Sequence, residues 1–262
     1  MPYHGRTLIE FVTSVGKPGA GYIVQVRSLP NKKRRFEPLG DRLYMQPLDP
    51  KQLEEPGAEL TFYNTMLVKG DILIVANGVH TDGILKGGKP RGSVERPNFS
   101  DDFTGERGIG LEQAEKIMRT WRYEPDSMAT PRVALVRWPD NHLFAIATKY
   151  GDGVGVGAIE GSQALGRQGR GLPTYTTRDG NVVSLSIQNS GYLRDYLIDV
   201  PVVGNTAEEI AGHLYNSSGE NLIVAAAAAV FENGEWNVAF KNRFGSLEEF
   251  ETHKAEKDTE KT

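Results

Sequence analysis

Glycine and proline set the grain of this chain. With 30 glycines and 14 prolines in 262 residues, long uninterrupted helices are ruled out over most of the length. The chain is cut instead into short segments, many of them alternating or briefly apolar, as strands are. The pattern predicts strands at Thr7–Val12, Tyr22–Ser28, Arg42–Gln46, Leu60–Val68, Asp71–Ala76, Arg132–Trp138, His142–Thr148, Val182–Ile187, Leu222–Phe231 and Trp236–Phe240. Trp138 to His142 reads as a hairpin connection, and so does Glu232-Asn233-Gly234-Glu235, where Asn-Gly accepts the positive φ of a type I′ turn.

Helices are fewer. Leu111 to Trp121 puts Leu111, Ala114, Ile117, Met118 and Trp121 on one side. Thr206 and Glu209 stand at capping-box spacing before a helix reaching Tyr215, with Ile210, Ala211 and Leu214 as its apolar face. Ser246–Lys254 is a third candidate, with the charged residues after it fraying. Lys86–Gly108 and Gly151–Gly180 are rich in glycine and polar residues and read as long loops. The expected architecture is one α+β domain over 1–247, sheet-heavy with helices covering a face, followed by a charged tail at 248–262.

Composition removes several function classes. At 39% hydrophobic and 24% charged, the chain is far from a disordered profile. A net charge of -4 lacks the cationic excess that general nucleic-acid binding needs. The absence of cysteine excludes disulfides, a thiol nucleophile and thiolate zinc sites. The first residues lack a signal peptide's apolar core, and Leu222–Phe231, the longest apolar run, is far short of the ~20 residues that cross a bilayer. A soluble cytoplasmic protein without a membrane partner is expected. No dinucleotide fingerprint, P-loop or Gly-x-Ser-x-Gly occurs, and His4, His80, His142, His213 and His253 are too scattered for a metal site, so neither metal nor cofactor is expected.

Four segments carry chemistry. Asp71 to Asp82 runs an apolar strand into a glycine turn holding Asn77, His80, Thr81 and Asp82, so polar groups would be held rigidly at a strand end; the plainer reading is local capping. The strand from Tyr22 ends in Arg27-Ser28-Leu29-Pro30-Asn31 and then Lys32 to Arg35, five cations within nine residues, suited to an anionic ligand such as a phosphate or simply to a solvated loop. Leu60 to Met66 holds Tyr63 and Asn64, which point to opposite faces if this is a strand. Tyr123 to Arg132 joins a helix to a strand, and Glu124, before Pro125, stands where a carboxylate projects into a cleft or lies on the surface.

In these segments the sequence resembles the archaeal-type IMP cyclohydrolase family. The matching words are Tyr3-x-Gly5-Arg6, Arg27 to Asn31, Tyr63-Asn64, Gly70-Asp71, Asn77-Gly78-x-His80-Thr81-Asp82, Tyr123-Glu124-x-Asp126, Thr130-Pro131-Arg132, Ala225 to Ala229 and Gly234 to Asn237, in that order. The resemblance implies stacked antiparallel sheets flanked by helices, like those of the N-terminal nucleophile hydrolases. It also implies closure of the hypoxanthine ring of inosine monophosphate (IMP) from a formamido imidazole carboxamide ribotide, with a small nucleotide as partner, no cofactor and a homo-oligomeric state. The chain starts Met-Pro-Tyr, so the hydrolases' N-terminal nucleophile is not expected. Lys32 departs from the family's arginine, keeping charge but not the bidentate fork, and the two long inserts put the exact substrate in question.

The resemblance points to segments; chemistry assigns the roles. Tyr63 or Glu124 would move the proton, with His80 a reserve acid. Asn64 and Asn77 would hold the amide and formyl groups. Arg27, Ser28, Asn31, Lys32 and Arg6 would take the phosphate, Arg132 would be a further anion contact, and His80 and Asp82 would orient this shell. Two alternatives stay open: a nucleotide-binding protein without turnover, and an amidohydrolase of different substrate.

Overall fold

The structure, a computed structural model, describes residues 3–81, 111–162, 168–178, 181–187 and 190–259. Two antiparallel sheets carry it. The first runs β13 (Ile198–Pro201), β10 (Gln168–Pro173), β1 (Arg6–Val12), β2 (Pro18–Gln25), β14 (Ile223–Glu232), β15 (Glu235–Asn242). The second runs in sequence order through β3 (Arg34–Leu39), β4 (Arg42–Pro47), β5 (Asn64–Lys69), β6 (Ile72–Ala76), β7 (Arg132–Arg137), β8 (Asn141–Tyr150) and β9 (Gly153–Ser162). A small hairpin, β11 (Tyr175–Arg178) with β12 (Asn181–Ser184), stands apart. Among the described residues three α-helices occur: α1 (Leu111–Trp121), α2 (Ala207–Ser217) and α3 (Leu247–Thr259).

Strand periodicity sorts the side chains into layers. Leu8, Tyr22, Val24, Ala225, Ala227 and Ala229 from the first sheet meet Phe36, Leu43, Met66, Val75, Leu135 and Phe144 from the second in a central core. Their neighbours in sequence point the other way. Ile9, Phe11, Ile23, Ala226 and Ala228 pack on Ile210, Ala211 and Leu214 of α2. Ile74, Ala134, Val136 and Ala145 pack on Ala114, Ile117 and Met118 of α1. The order of layers is helix, sheet, sheet, helix. The alanine run of β14 is buried on both faces, and its short side chains suit a strand packed on both sides. Gly21 serves the same approach, since a Cβ there would lie 2.8 Å from Leu214.

Local signals account for the ends of these elements. Thr206 accepts from the Glu209 N–H at 3.2 Å while Glu209 accepts from the Thr206 N–H at 3.3 Å, a reciprocal cap at the start of α2. Asn233 and Gly234 take φ of 56° and 86° in the turn joining β14 to β15, as the Asn-Gly pair predicts. Helix α1 matches its predicted bounds. Other expectations need correction. The Leu60–Val68 strand starts at Asn64, with a 3-10 turn over Ala58–Leu60 in place of its first residues. Gly151–Gly180, expected as a long loop, contains β9, β10 and β11. The basic run at Lys32–Arg35 leads into β3, whose residues alternate between core and surface. The expected loop Lys86–Gly108 lies outside the described residues. Among the described residues no helix is long and apolar enough to cross a membrane.

Candidate active site

The β1 strand begins at the open end of the sandwich, and Arg6 shares its inward face with Leu8. Gly5 before it has φ 71°, and a Cβ there would sit 2.3 Å from the Tyr175 ring, so the Tyr3-x-Gly5-Arg6 word reflects a backbone position closed to other residues. Arg6 reaches Glu124 in a two-pronged pair: Nη1 donates to Oε1 at 3.0 Å and Nη2 to Oε2 at 2.7 Å. Nη1 also donates to the Asn77 carbonyl at 2.8 Å and to the Tyr63 hydroxyl at 3.4 Å. The pair is nearly dry, with side chains 11% and 2% exposed. Burial opposes the Arg6 charge, but Glu124, helped by Tyr63 and Tyr22, outweighs it and pushes the Arg6 pKa well up. The hydroxyls of Tyr22 and Tyr63 lie 3.0 Å apart. Burial, with Tyr63 alongside, raises the Tyr22 phenol well above its ordinary value, so it stays protonated.

The connection from α1 to β7 holds Glu124 in place. Its N–H donates to the Thr130 carbonyl at 2.8 Å. Asp126 then accepts from the Thr130 N–H at 2.8 Å and from its hydroxyl at 2.5 Å, a local closure typical of aspartate in loops. Tyr175 meets the Thr130 hydroxyl at 2.6 Å. Arg122 and Ala129 adopt φ of 55° and 48°, so the loop bends through the left-handed region at both shoulders.

Beyond β6 the chain turns at Gly78. A Cβ there would lie 2.6 Å from Arg132 Nη1, 3.1 Å from His80 Nδ1 and 3.2 Å from Glu124 Oε1; the bare backbone fits between these three groups. Asn77 clamps β6 to β7: its Nδ2 donates to the Pro131 carbonyl at 2.8 Å and its Oδ1 accepts from the Val133 N–H at 2.7 Å. His80 is fully buried, with Nε2 3.0 Å from the Val133 carbonyl and Nδ1 3.3 Å from Arg132 Nη1. A carbonyl only accepts and a guanidinium only donates, so the ring is neutral with its proton on Nε2. Burial, then Arg132, lowers its pKa well below the ordinary value. Arg132 lies over the Trp121 ring at 5.9 Å, on the α1 side of the second sheet.

A cleft of about 550 Å³ opens over this network, lined by Tyr3, Arg6, Arg27, Ser28, Asn31, Arg34, Thr61, Glu124, Asp126 and Tyr175 among others. Its three arginines outnumber its two carboxylates. A larger hollow of about 630 Å³ lies by α3, lined by Tyr215, Arg243 and His253 with Glu220, Glu248, Glu249 and Glu256. Four carboxylates against one arginine repel an anion, and the buried polar network lies elsewhere. The smaller, cationic cleft is therefore the candidate site.

Comparison with known proteins agrees with the resemblance. Residues 3–95 match the family model described as IMP cyclohydrolase-like protein. A protein of Methanocaldococcus jannaschii named IMP cyclohydrolase is 28% identical over 243 residues, covering 92% of this chain and 100% of the relative. One of Methanocella arvoryzae with the same name is 28% identical, covering 90% and 98%. A third, from Methanococcus maripaludis, is 25% identical, covering 88% and 96%. The chain is similar to the IMP cyclohydrolase-like family. The expected site residues fall into three groups. Arg6, Arg27, Ser28, Asn31 and Glu124 line the cleft, with Tyr63 behind Arg6. Asn64 is buried beside Tyr63, while Asn77, His80 and Arg132 form a layer behind the Gly78 turn. Lys32 stands apart: its Nζ donates to the Asn221 carbonyl, and burial followed by Arg243 lowers its pKa to about 8. Asp82 lies outside the described residues. Sequence reasoning missed Tyr22 and Tyr175, and did not separate Arg34 from its basic neighbours. The signal for Arg34 was its two-residue spacing from Phe36, which sets both on one face of a strand.

Proposed function

We propose that this chain is an IMP cyclohydrolase, closing a formamido imidazole carboxamide ribotide to IMP with release of water. One observation supports this reading above others: a cationic cleft has at its floor a buried carboxylate, Glu124, fixed by Arg6 and adjoining the Tyr63 phenol. This occurs in a chain that aligns over nearly its full length with proteins named for that activity.

The reaction forms a bond between the carboxamide nitrogen and the formyl carbon. One amide proton passes to the formyl oxygen, giving a carbinolamine. The hydroxyl then leaves with the remaining proton of the former formamido nitrogen as water, and the C=N bond forms. Both groups sit on one ring, so holding their rotamers supplies much of the acceleration. In this proposal Glu124 and Tyr63, which both accept from Arg6 Nη1, each carry one of the two protons at the substrate. Asn64 steadies the amide. Arg27, Ser28 and Asn31 face the phosphate. Asn77, His80 and Arg132 act as positioning residues, because their polar atoms already engage the backbone or one another; a neutral buried imidazole donating to Val133 serves poorly as an acid. Asp82, and Lys32 as a phosphate contact, stay in the proposal from the sequence.

The layered fold is, on the same reading, that of the N-terminal nucleophile hydrolases without the nucleophile. Residues 1–247 are the catalytic domain and 248–262 its charged tail, and the protein works in the cytoplasm as a homo-oligomer. The test is to incubate the purified protein with the formamido ribotide and follow IMP by absorbance. Protein-dependent IMP formation is expected; tight IMP binding without ring closure makes the chain a nucleotide binder instead.

A further inference from the structure

The cations of the 27–35 segment are not equivalent once their partners are laid out. Lys33 pairs with Asp49 at 3.3 Å and Glu251 at 3.5 Å. Arg35 pairs with Glu37 at 2.8 Å and donates to the Gly245 carbonyl. Lys32 is held by the Asn221 carbonyl, and Arg27 is exposed at the rim over the Tyr3 ring, 5.3 Å from its centroid. Arg6 is neutralised by Glu124. Arg34 differs from all of these. It is 8% exposed, shares the inward face of β3 with the core residue Phe36, lines the cleft, and its Nε has no hydrogen-bond partner. Among the described residues no carboxylate pairs with it.

A buried guanidinium without a counter-charge is costly. Burial accordingly lowers its pKa from the ordinary value, with the neighbouring Arg6 charge adding to the penalty. Removing such a charge would stabilise the empty protein, so the residue makes physical sense as one half of a pair whose other half arrives with the ligand. We infer that Arg34 is the cleft's main phosphate-binding residue, taking the dianionic phosphate of the nucleotide in the role that sequence reasoning shared among Arg27, Lys32 and Arg6. Ser28 and Asn31, which also line the cleft, add a hydroxyl and an amide donor, and the planar fork of arginine matches two phosphate oxygens as a lysine cannot. This assignment rests on the proposal that the cleft takes a ribotide, and it deepens that proposal by naming what distinguishes nucleotide from nucleoside.

The test compares wild type, Arg34→Met, Arg34→Lys and Lys33→Met by calorimetric titration with IMP, inosine and inorganic phosphate, together with the thermal midpoint of each empty protein. Arg34→Met should weaken IMP by ~10²-fold, the scale of losing charge-assisted hydrogen bonds. It should leave inosine unchanged, abolish phosphate binding, raise KM rather than lower kcat, and hold or raise the empty midpoint. Arg34→Lys should recover part of the IMP affinity, and Lys33→Met, at a lysine already paired with Asp49 and Glu251, should change IMP affinity little. Equal losses for IMP and inosine overturn the assignment. So does unchanged IMP binding with a collapse in kcat, which would make Arg34 a partner of charge developing on the ring. So does a marked fall in the empty midpoint, which would make it structural. If inorganic phosphate binds through Arg34 while neither IMP nor inosine binds wild type, the anion site stands and the ribotide reading fails. If wild type binds none of the three, both fall.

Discussion

The Arg6–Glu124 pair is the most consequential contact in the site, and its energetic signature can be worked out. The two bonds of 3.0 and 2.7 Å join side chains that are 11% and 2% exposed. Removing one partner leaves the other charge buried, which costs ~3–5 kcal/mol. Arg6→Met strands the Glu124 carboxylate and also takes a donor from the Asn77 carbonyl. Glu124→Leu leaves the Arg6 guanidinium buried without its counter-charge. Removing both as Arg6→Met with Glu124→Leu eliminates both charges, leaving mainly the Asn77 carbonyl without its donor, at ~1–3 kcal/mol. The cycle should therefore show a coupling of about 3 kcal/mol or more, far above the ~0.5 kcal/mol within which independent sites add. Urea unfolding of the four proteins measures it. Each single variant should lose ~6–20 °C in thermal midpoint, at ~2–4 °C per kcal/mol for chains near this size, while the double variant recovers most of that loss. Additive single effects would refute the reasoning, because they would mean that the two groups do not form one buried unit.

Three further outcomes follow from the same geometry. Tyr63→Phe should lower turnover by ~10²-fold, the usual worth of a positioned proton carrier, while unfolding free energy falls by only ~1–3 kcal/mol as the Tyr22 hydroxyl loses its 3.0 Å neighbour; wild-type turnover would remove Tyr63 from the mechanism. Burial, with Arg137 and Arg170, lowers His142 to about 4, so between that value and ~6.5 the unfolded chain binds the extra proton. The His142 contribution, about 3 kcal/mol, should be complete above pH ~6.5 and disappear as pH falls toward 4; urea titrations at several pH values should show His142→Gln flattening that slope, and an unchanged slope would contradict the assignment. Gly155→Ala should be strongly destabilising, because the added Cβ would lie 1.8 Å from the Ile187 carbonyl oxygen; a midpoint within a degree of wild type would show that this approach is not tight.

The elements legible in the sequence were those whose signals are local. Helix α1 shows a one-sided apolar pattern, α2 opens on a reciprocal cap, and β14 turns into β15 through Asn233-Gly234; each is dictated by residues within one or two turns of chain. Elements set by distant partners were not legible. The Gly153-Val154-Gly155-Val156-Gly157 stretch reads as a flexible loop, yet it forms β9, whose glycines admit the Ile187 backbone at Gly155 and the His142 ring at Gly161. The basic residues before Phe36 read as a solvated run, yet Arg34 and Phe36 face inward because β4 pairs alongside. In the site, the segments carrying Arg6, Tyr63 and Glu124 were found through motif order, but their mutual contacts were not. Nothing near Tyr63 in sequence foretells the Tyr22 hydroxyl. Nothing in a run of five cations tells which one is buried with no carboxylate partner among the described residues.

The proposed ring closure requires the nucleotide to sit in the Arg6–Glu124 cleft. A crystal structure of the protein with IMP should place the purine ring within hydrogen-bond reach of Glu124 and Tyr63, and the phosphate against Arg34, Ser28 and Asn31. Electron density for IMP in the hollow beside α3, with the Arg6–Glu124 cleft empty, would contradict it.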